Sequence, residues 1–75
     1  MRVTYDKQAN AAYVYLASQI LPGSIIDTYT CNPVEVGGEI NLDFDNQGRL
    51  IGIEILNADK KLPMEVLENA EKNKE

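Results

Sequence analysis

The stretch Glu39-Ile40-Asn41-Leu42-Asp43-Phe44-Asp45-Asn46-Gln47-Gly48-Arg49-Leu50-Ile51-Gly52-Ile53-Glu54-Ile55-Leu56 decides the fold. Its first half alternates. Ile40, Leu42 and Phe44 fall on one face, and Glu39, Asn41, Asp43 and Asp45 on the other, the period-2 pattern of a half-buried strand. Asp45–Gly48 is a turn, and Arg49–Leu56 returns as a second strand with Ile51, Ile53 and Ile55 on one face. Parity bears on the register. A four-residue loop over Asp45–Gly48 sets Phe44 opposite Arg49, Leu42 opposite Ile51 and Ile40 opposite Ile53. A three-residue loop would instead set Ile40 against Glu54 and Leu42 against Gly52, wasting the apolar face. The expectation is therefore the four-residue loop, with Gly48 free to adopt φ > 0 in its last position. Glu39 then lies directly opposite Glu54, and a base or a bound cation is expected beside Glu54 to offset the two like charges.

The same residues nearly spell the calcium loop of an EF-hand: Asp43-x-Asp45-x-Gln47-Gly48, then Glu54. That loop must fold its glutamate back onto the ion. A strand leaving Gly48 carries Glu54 about 20 Å away at ~3.3 Å per residue, so the hairpin reading prevails.

Upstream, Arg2–Asp6 reads as a short strand, Asp6–Asn10 as a polar hairpin loop, and Ala12–Ala17 as a strand. The latter places Ala12, Val14 and Leu16 on one face and Tyr13 and Tyr15 on the other. Pro22-Gly23 breaks the chain, and Ser24–Cys31, rich in Ile, Thr and Tyr, reads as a third strand. Asn32-Pro33 and Gly37-Gly38 bracket an irregular connection. Downstream, Pro63 suits the first position of a helix running to about residue 72. Leu62, Val66, Leu67 and Ala70 form its apolar stripe, and residues 73–75 read as a frayed tail. The fold class expected is α+β: one domain over residues 1–75, with an antiparallel, largely meandering sheet of four to five strands and one C-terminal helix across one face.

Composition narrows the function. Seven basic against twelve acidic residues give a net charge of −5, a poor match for nucleic acid. There is no histidine, and the lone Cys31 makes neither an internal disulfide nor a thiolate metal site, so no enzyme and no cofactor are expected. No apolar run approaches a membrane span, and no signal peptide precedes the first strand, from which a cytoplasmic protein is expected. So small a chain without staples leaves apolar strand surface uncovered, which favours a homodimer or higher homo-oligomer.

The residues that stand out as an interaction surface are Tyr13, Tyr15, Glu39, Asp43 and Glu54. Tyrosines are enriched at protein interfaces, and paired carboxylates can bind a base or divide acid and base roles. The plainer reading is a solvated acidic face.

Tyr5-Asp6, Ala9, Ala11 and Tyr13, followed by Asp43-x-Asp45-x-x-Gly48 and Gly52-Ile53-Glu54-Ile55-Leu56, resemble a family of small prokaryotic proteins known as domain of unknown function 2283. The resemblance covers most of residues 1–62. It implies a compact sheet with a following helix, no assigned activity and no catalytic residues. It also implies, through relatives in toxin–antitoxin-like gene pairs, a small acidic binding partner. The leading expectation is thus a non-enzymatic protein-interaction module that suits a basic protein. The alternative is a small-molecule or divalent-metal binding protein using the carboxylate-rich sheet face, and a third is a degenerate enzyme.

Overall fold

The computed structural model describes residues 1–72; the expected tail at 73–75 lies outside the described residues. Strands β1 (Arg2–Asp6), β2 (Ala11–Tyr15), β3 (Asp27–Cys31), β4 (Ile40–Phe44) and β5 (Leu50–Leu56) precede helices α1 (Ala58–Lys61) and α2 (Met64–Asn69) and a short β6 (Glu71–Lys72). They form a six-stranded sheet ordered β3-β4-β5-β2-β1-β6. The class is α+β, as the sequence implies. The sheet, however, is mixed and larger than four to five strands, because β6 pairs parallel to β1. Nor is it a single meander: the β1–β2 hairpin inserts its second strand against β5.

The hairpin register corrects both alternatives weighed above. The Asp45 N–H donates to the Arg49 carbonyl at 2.9 Å and the Gly48 N–H to the Asp45 carbonyl at 3.0 Å, which closes a loop of Asn46, Gln47 and Gly48. Gly48 sits at φ 75°, the left-handed position such a loop requires. The register then shifts: Phe44 pairs with Leu50, but Asp43 pairs with Gly52. Ile51 is the extra residue of a β-bulge. The shorter loop costs one residue of parity and the bulge restores it. Leu42 consequently faces Ile53, Ile40 faces Ile55, and Glu54 faces Asn41 rather than Glu39. The displaced Ile51 carbonyl is not left unpaired; it accepts the N–H groups of Leu16 (3.0 Å) and Ala17 (3.2 Å) at the end of β2.

Two helices replace the single one expected over residues 63–72. Leu62 is held extended (φ −114°, ψ 146°), the conformation favoured before proline, and that ends α1. Pro63 stands just outside α2 as its cap residue, with Met64 the first helical position. Ala70 turns extended again, and the chain returns as β6 beside β1. Asn10 ties the helices to the sheet. Its backbone sits at φ 54°. Its carbonyl accepts the Ala58 N–H at 3.0 Å, its Oδ1 accepts the Asp59 N–H at 3.0 Å and the Tyr5 hydroxyl at 3.2 Å, and its Nδ2 donates to Asp59 at 2.8 Å. Residues 32–38 are anchored in turn by Lys61, whose Nζ donates to the Val36 carbonyl.

The core is small. Tyr5, Ala12, Ala58 and Leu67 make one buried cluster with Leu62 and Ala70 packed against it. The helices therefore cover the β1–β2 end of the apolar face, while Val14, Leu42, Phe44 and Ile53 remain only half-buried.

Candidate functional site

The face opposite the helices is built by register. One row across the sheet runs Thr30, Asn41, Glu54, Tyr13 and Thr4; the next runs Thr28, Asp43, Gly52, Tyr15 and Arg2. Four of the five surface residues singled out from the sequence, Tyr13, Tyr15, Asp43 and Glu54, are thus in adjacent rows. Glu39 completes the set one row further along β4, where its carbonyl accepts the Leu56 N–H at 3.1 Å.

Asp43 is the centre of this face and is 7% exposed. The Tyr13 hydroxyl donates to its Oδ2 at 2.6 Å and the Thr28 hydroxyl to its Oδ1 at 2.7 Å. Two hydroxyl donors meet the hydrogen-bonding demand of a carboxyl group at this depth, and a short O–H···O bond is the stronger kind. Tyr13 can reach Asp43 because Gly52 lies between them in the sheet: a Cβ at residue 52 would fall 2.7 Å from Tyr13 Cε2, inside contact distance. Burial, then the hydrogen bond to Asp43, then the surrounding negative charge push the Tyr13 hydroxyl well above the ordinary tyrosine range. It therefore stays a proton donor and does not serve as a base near neutrality.

The Asn41 amide spans the two glutamates, donating to Glu54 Oε1 at 2.9 Å and to Glu39 Oε2 at 3.3 Å. Its Oδ1 accepts the Thr30 hydroxyl at 2.8 Å. Among the described residues no base stands in ion-pair range of Glu54, contrary to expectation. Among the described residues the ion pairs are Arg2–Glu71 (3.5 Å) and Arg49–Asp45 (3.3 Å), neither of which touches Glu39, Asp43 or Glu54. The register removes the direct opposition that motivated that expectation, since Asn41 rather than a second carboxylate stands opposite Glu54, while both glutamates stay on the same face, bonded to one amide. Asn41, Thr28 and Gly52 escaped the sequence reading, because their roles follow from rows that a correct register alone reveals.

The tyrosines are packed edge to face, with ring centroids 4.8 Å apart at 64°. The Arg2 guanidinium lies 4.0 Å above the Tyr15 ring. Asp45, two residues after Asp43, does separate work at the turn. Its Oδ1 accepts the N–H groups of Gln47 (2.9 Å) and Arg49 (2.9 Å). The Arg49 N–H foremost holds its pKa below the usual carboxylate value. Among the described residues no three Asp, Glu or Cys side chains converge on a point that could hold a metal ion. No described helix is long and apolar enough to cross a membrane.

A family model described as "Protein of unknown function (DUF2283)" matches residues 2–58, a span that includes every residue of this face described above and Asn10, which ties the helices to the first hairpin. No curated protein and no solved structure matches the chain.

Proposed function

The chain belongs to the DUF2283 family, and we propose that it serves as a non-enzymatic protein-interaction module whose carboxylate-bearing sheet face receives a basic protein. The observation that carries this reading is the gathering of Glu39, Asp43 and Glu54 on one face with no base in ion-pair range among the described residues. Carboxylates sharing a face repel one another, and a lysine or arginine from a partner relieves that repulsion where none of the described bases does. Tyr15 adds a flat apolar surface, and Arg2 stacked on it is an internal example of the contact a partner arginine would make. The net charge of −5 would speed the encounter with a basic partner. The non-enzymatic reading is supported by chemistry: histidine is absent from the sequence, Tyr13 is held protonated, and Asp43 is locked between two hydroxyls.

The test is a pull-down at low salt, followed by titration of the lysine- or arginine-rich protein recovered. The expected result is binding weakened at least tenfold by Glu39→Gln combined with Glu54→Gln, and weakened further by salt. Glu68→Gln, on the exposed side of α2, serves as the control and should bind normally. Equal affinity for all three proteins would sink the reading.

A further inference from the structure

The free edge of the sheet at β3 points to a specific partner. Edge strands are ordinarily protected by shortness, proline, lysine or a bulge. The opposite edge, β6, has two residues, Glu71 and Lys72, both charged. By contrast β3 runs five residues, Asp27-Thr28-Tyr29-Thr30-Cys31, with its one charge at the first position and good strand formers at its centre. Thr28, Tyr29 and Thr30 are exposed, and Tyr29 keeps 65% of its surface in solvent.

The ladder fixes which backbone groups are open. The Leu56 N–H bonds the Glu39 carbonyl, so Glu39, Asn41 and Asp43 turn their backbone groups towards β5 and Ile40, Leu42 and Phe44 turn theirs towards β3. Phe44 accordingly accepts the Ile26 N–H at 2.9 Å. Within β3, Asp27, Tyr29 and Cys31 therefore face β4, and the N–H and C=O groups of Thr28 and Thr30 point outward.

We infer that two copies of this chain join antiparallel through β3, with Tyr29 on the twofold axis, to make one continuous sheet. In that register Thr28 of one copy exchanges both backbone hydrogen bonds with Thr30 of the other, and every outward group of the strand finds a partner. Tyr29 meets its own copy in the non-hydrogen-bonded position, where side chains approach closest, so the two exposed rings cover each other. Charge favours this placement. Chains of net charge −5 repel, and the Thr-Tyr-Thr-Cys edge is a neutral strip on which they can meet. Asp27 falls opposite Cys31 of the other copy rather than opposite Asp27. This inference does not depend on the basic-partner reading: it rests on the outward backbone groups of β3, whereas that reading rests on the carboxylate side chains of Glu39, Asp43 and Glu54.

The experiment combines light scattering with cysteine cross-linking. The full chain at about 100 μM should show twice the mass of one 8.4 kDa copy. Thr30→Pro removes an outward N–H without taking a bond from the β3–β4 ladder, and should give the single-copy mass with an unchanged circular dichroism spectrum. Tyr29→Cys in a Cys31→Ser background should form a disulfide-linked dimer under mild oxidation, since Cα atoms in that position lie ~4.5 Å apart. The native Cys31 should not cross-link, because the two copies of it stand about 13 Å apart in this register at ~3.3 Å per residue. A single-copy mass for the full chain, a folded Thr30→Pro dimer, or cross-linking through Cys31 but not through residue 29 would each overturn the proposal. Should Thr30→Pro fail to fold, the cross-linking pair decides alone.

Discussion

Gly52 shows how one absent side chain can organise a whole face. Its φ is not positive, so its role is the space it leaves: the Tyr13 ring crosses it to reach Asp43. Gly52→Ala must push the ring aside and loosen a 2.6 Å charge-assisted hydrogen bond. The expected cost is ~1–3 kcal/mol in urea unfolding, the range of overpacking elsewhere. A double-mutant cycle on Tyr13→Phe and Asp43→Asn should return a coupling of ~1–2 kcal/mol, and additive losses would mean the bond contributes nothing. Asp45 supplies a residue-scale pH dependence. Its folded pKa lies below the unfolded value of 3.8 because it accepts the Arg49 and Gln47 N–H groups. It therefore stabilises the fold at pH above 3.8, and that contribution is lost as pH falls through the lower folded value. Asp45→Ala should be less stable than the parent at pH 7, with the gap narrowing towards pH 2. A gap independent of pH would assign the effect to turn geometry rather than charge.

At the scale of elements, the Glu39–Leu56 hairpin marks where sequence reasoning succeeds and where it stops. The alternation of Ile40, Leu42 and Phe44 against Ile53 and Ile55 is visible because burial on one face forces it. The pairing itself is not, because a three-residue loop followed by a bulge at Ile51 and a four-residue loop without one both put Ile53 and Ile55 on the apolar face and Glu54 on the other. Parity cannot separate them, and the difference moves the partner of Glu54 from Glu39 to Asn41. The acidic face was therefore legible as a list of side chains but not as a set of neighbours. The break at Leu62-Pro63 was open to the same oversight: Pro63 reads as a helix start, and that it follows a first helix after one extended residue depends on Asn10 holding Ala58 and Asp59. β6 has no apolar pattern of its own and is placed by β1. Leu67 was legible, and its burial gives a prediction for α2: Leu67→Ala should cost ~2–4 kcal/mol by thermal or urea unfolding. A variant as stable as the parent would mean that α2 contributes little to the sheet it covers.

For the whole molecule, charge and coverage pull in different directions. The helices bury one end of the apolar face and leave Leu42, Ile53 and Phe44 half-covered, so no large apolar side chain among the described residues is fully enclosed. A net charge of −5 spread over 75 residues then works against compaction with little core to oppose it. Glu39, Asp43 and Glu54, which meet no base in ion-pair range among the described residues, concentrate that repulsion on one face, and salt should relieve it. Raising sodium chloride from about 20 mM to about 0.5 M, at fixed protein concentration, should raise the melting temperature by roughly 3–6 °C for a domain of this size. Glu54→Gln keeps the oxygen that accepts the Asn41 amide while removing one of the three charges. It should therefore be at least as stable as the parent at low salt and gain less from added salt. The outcome contrasts with the destabilisation that a base beside Glu54 would produce, because breaking an ion pair leaves a charge without its partner. A lower melting temperature for Glu54→Gln, or a parent that loses stability on screening, would show that this face is internally compensated and has no electrostatic strain for a basic partner to relieve.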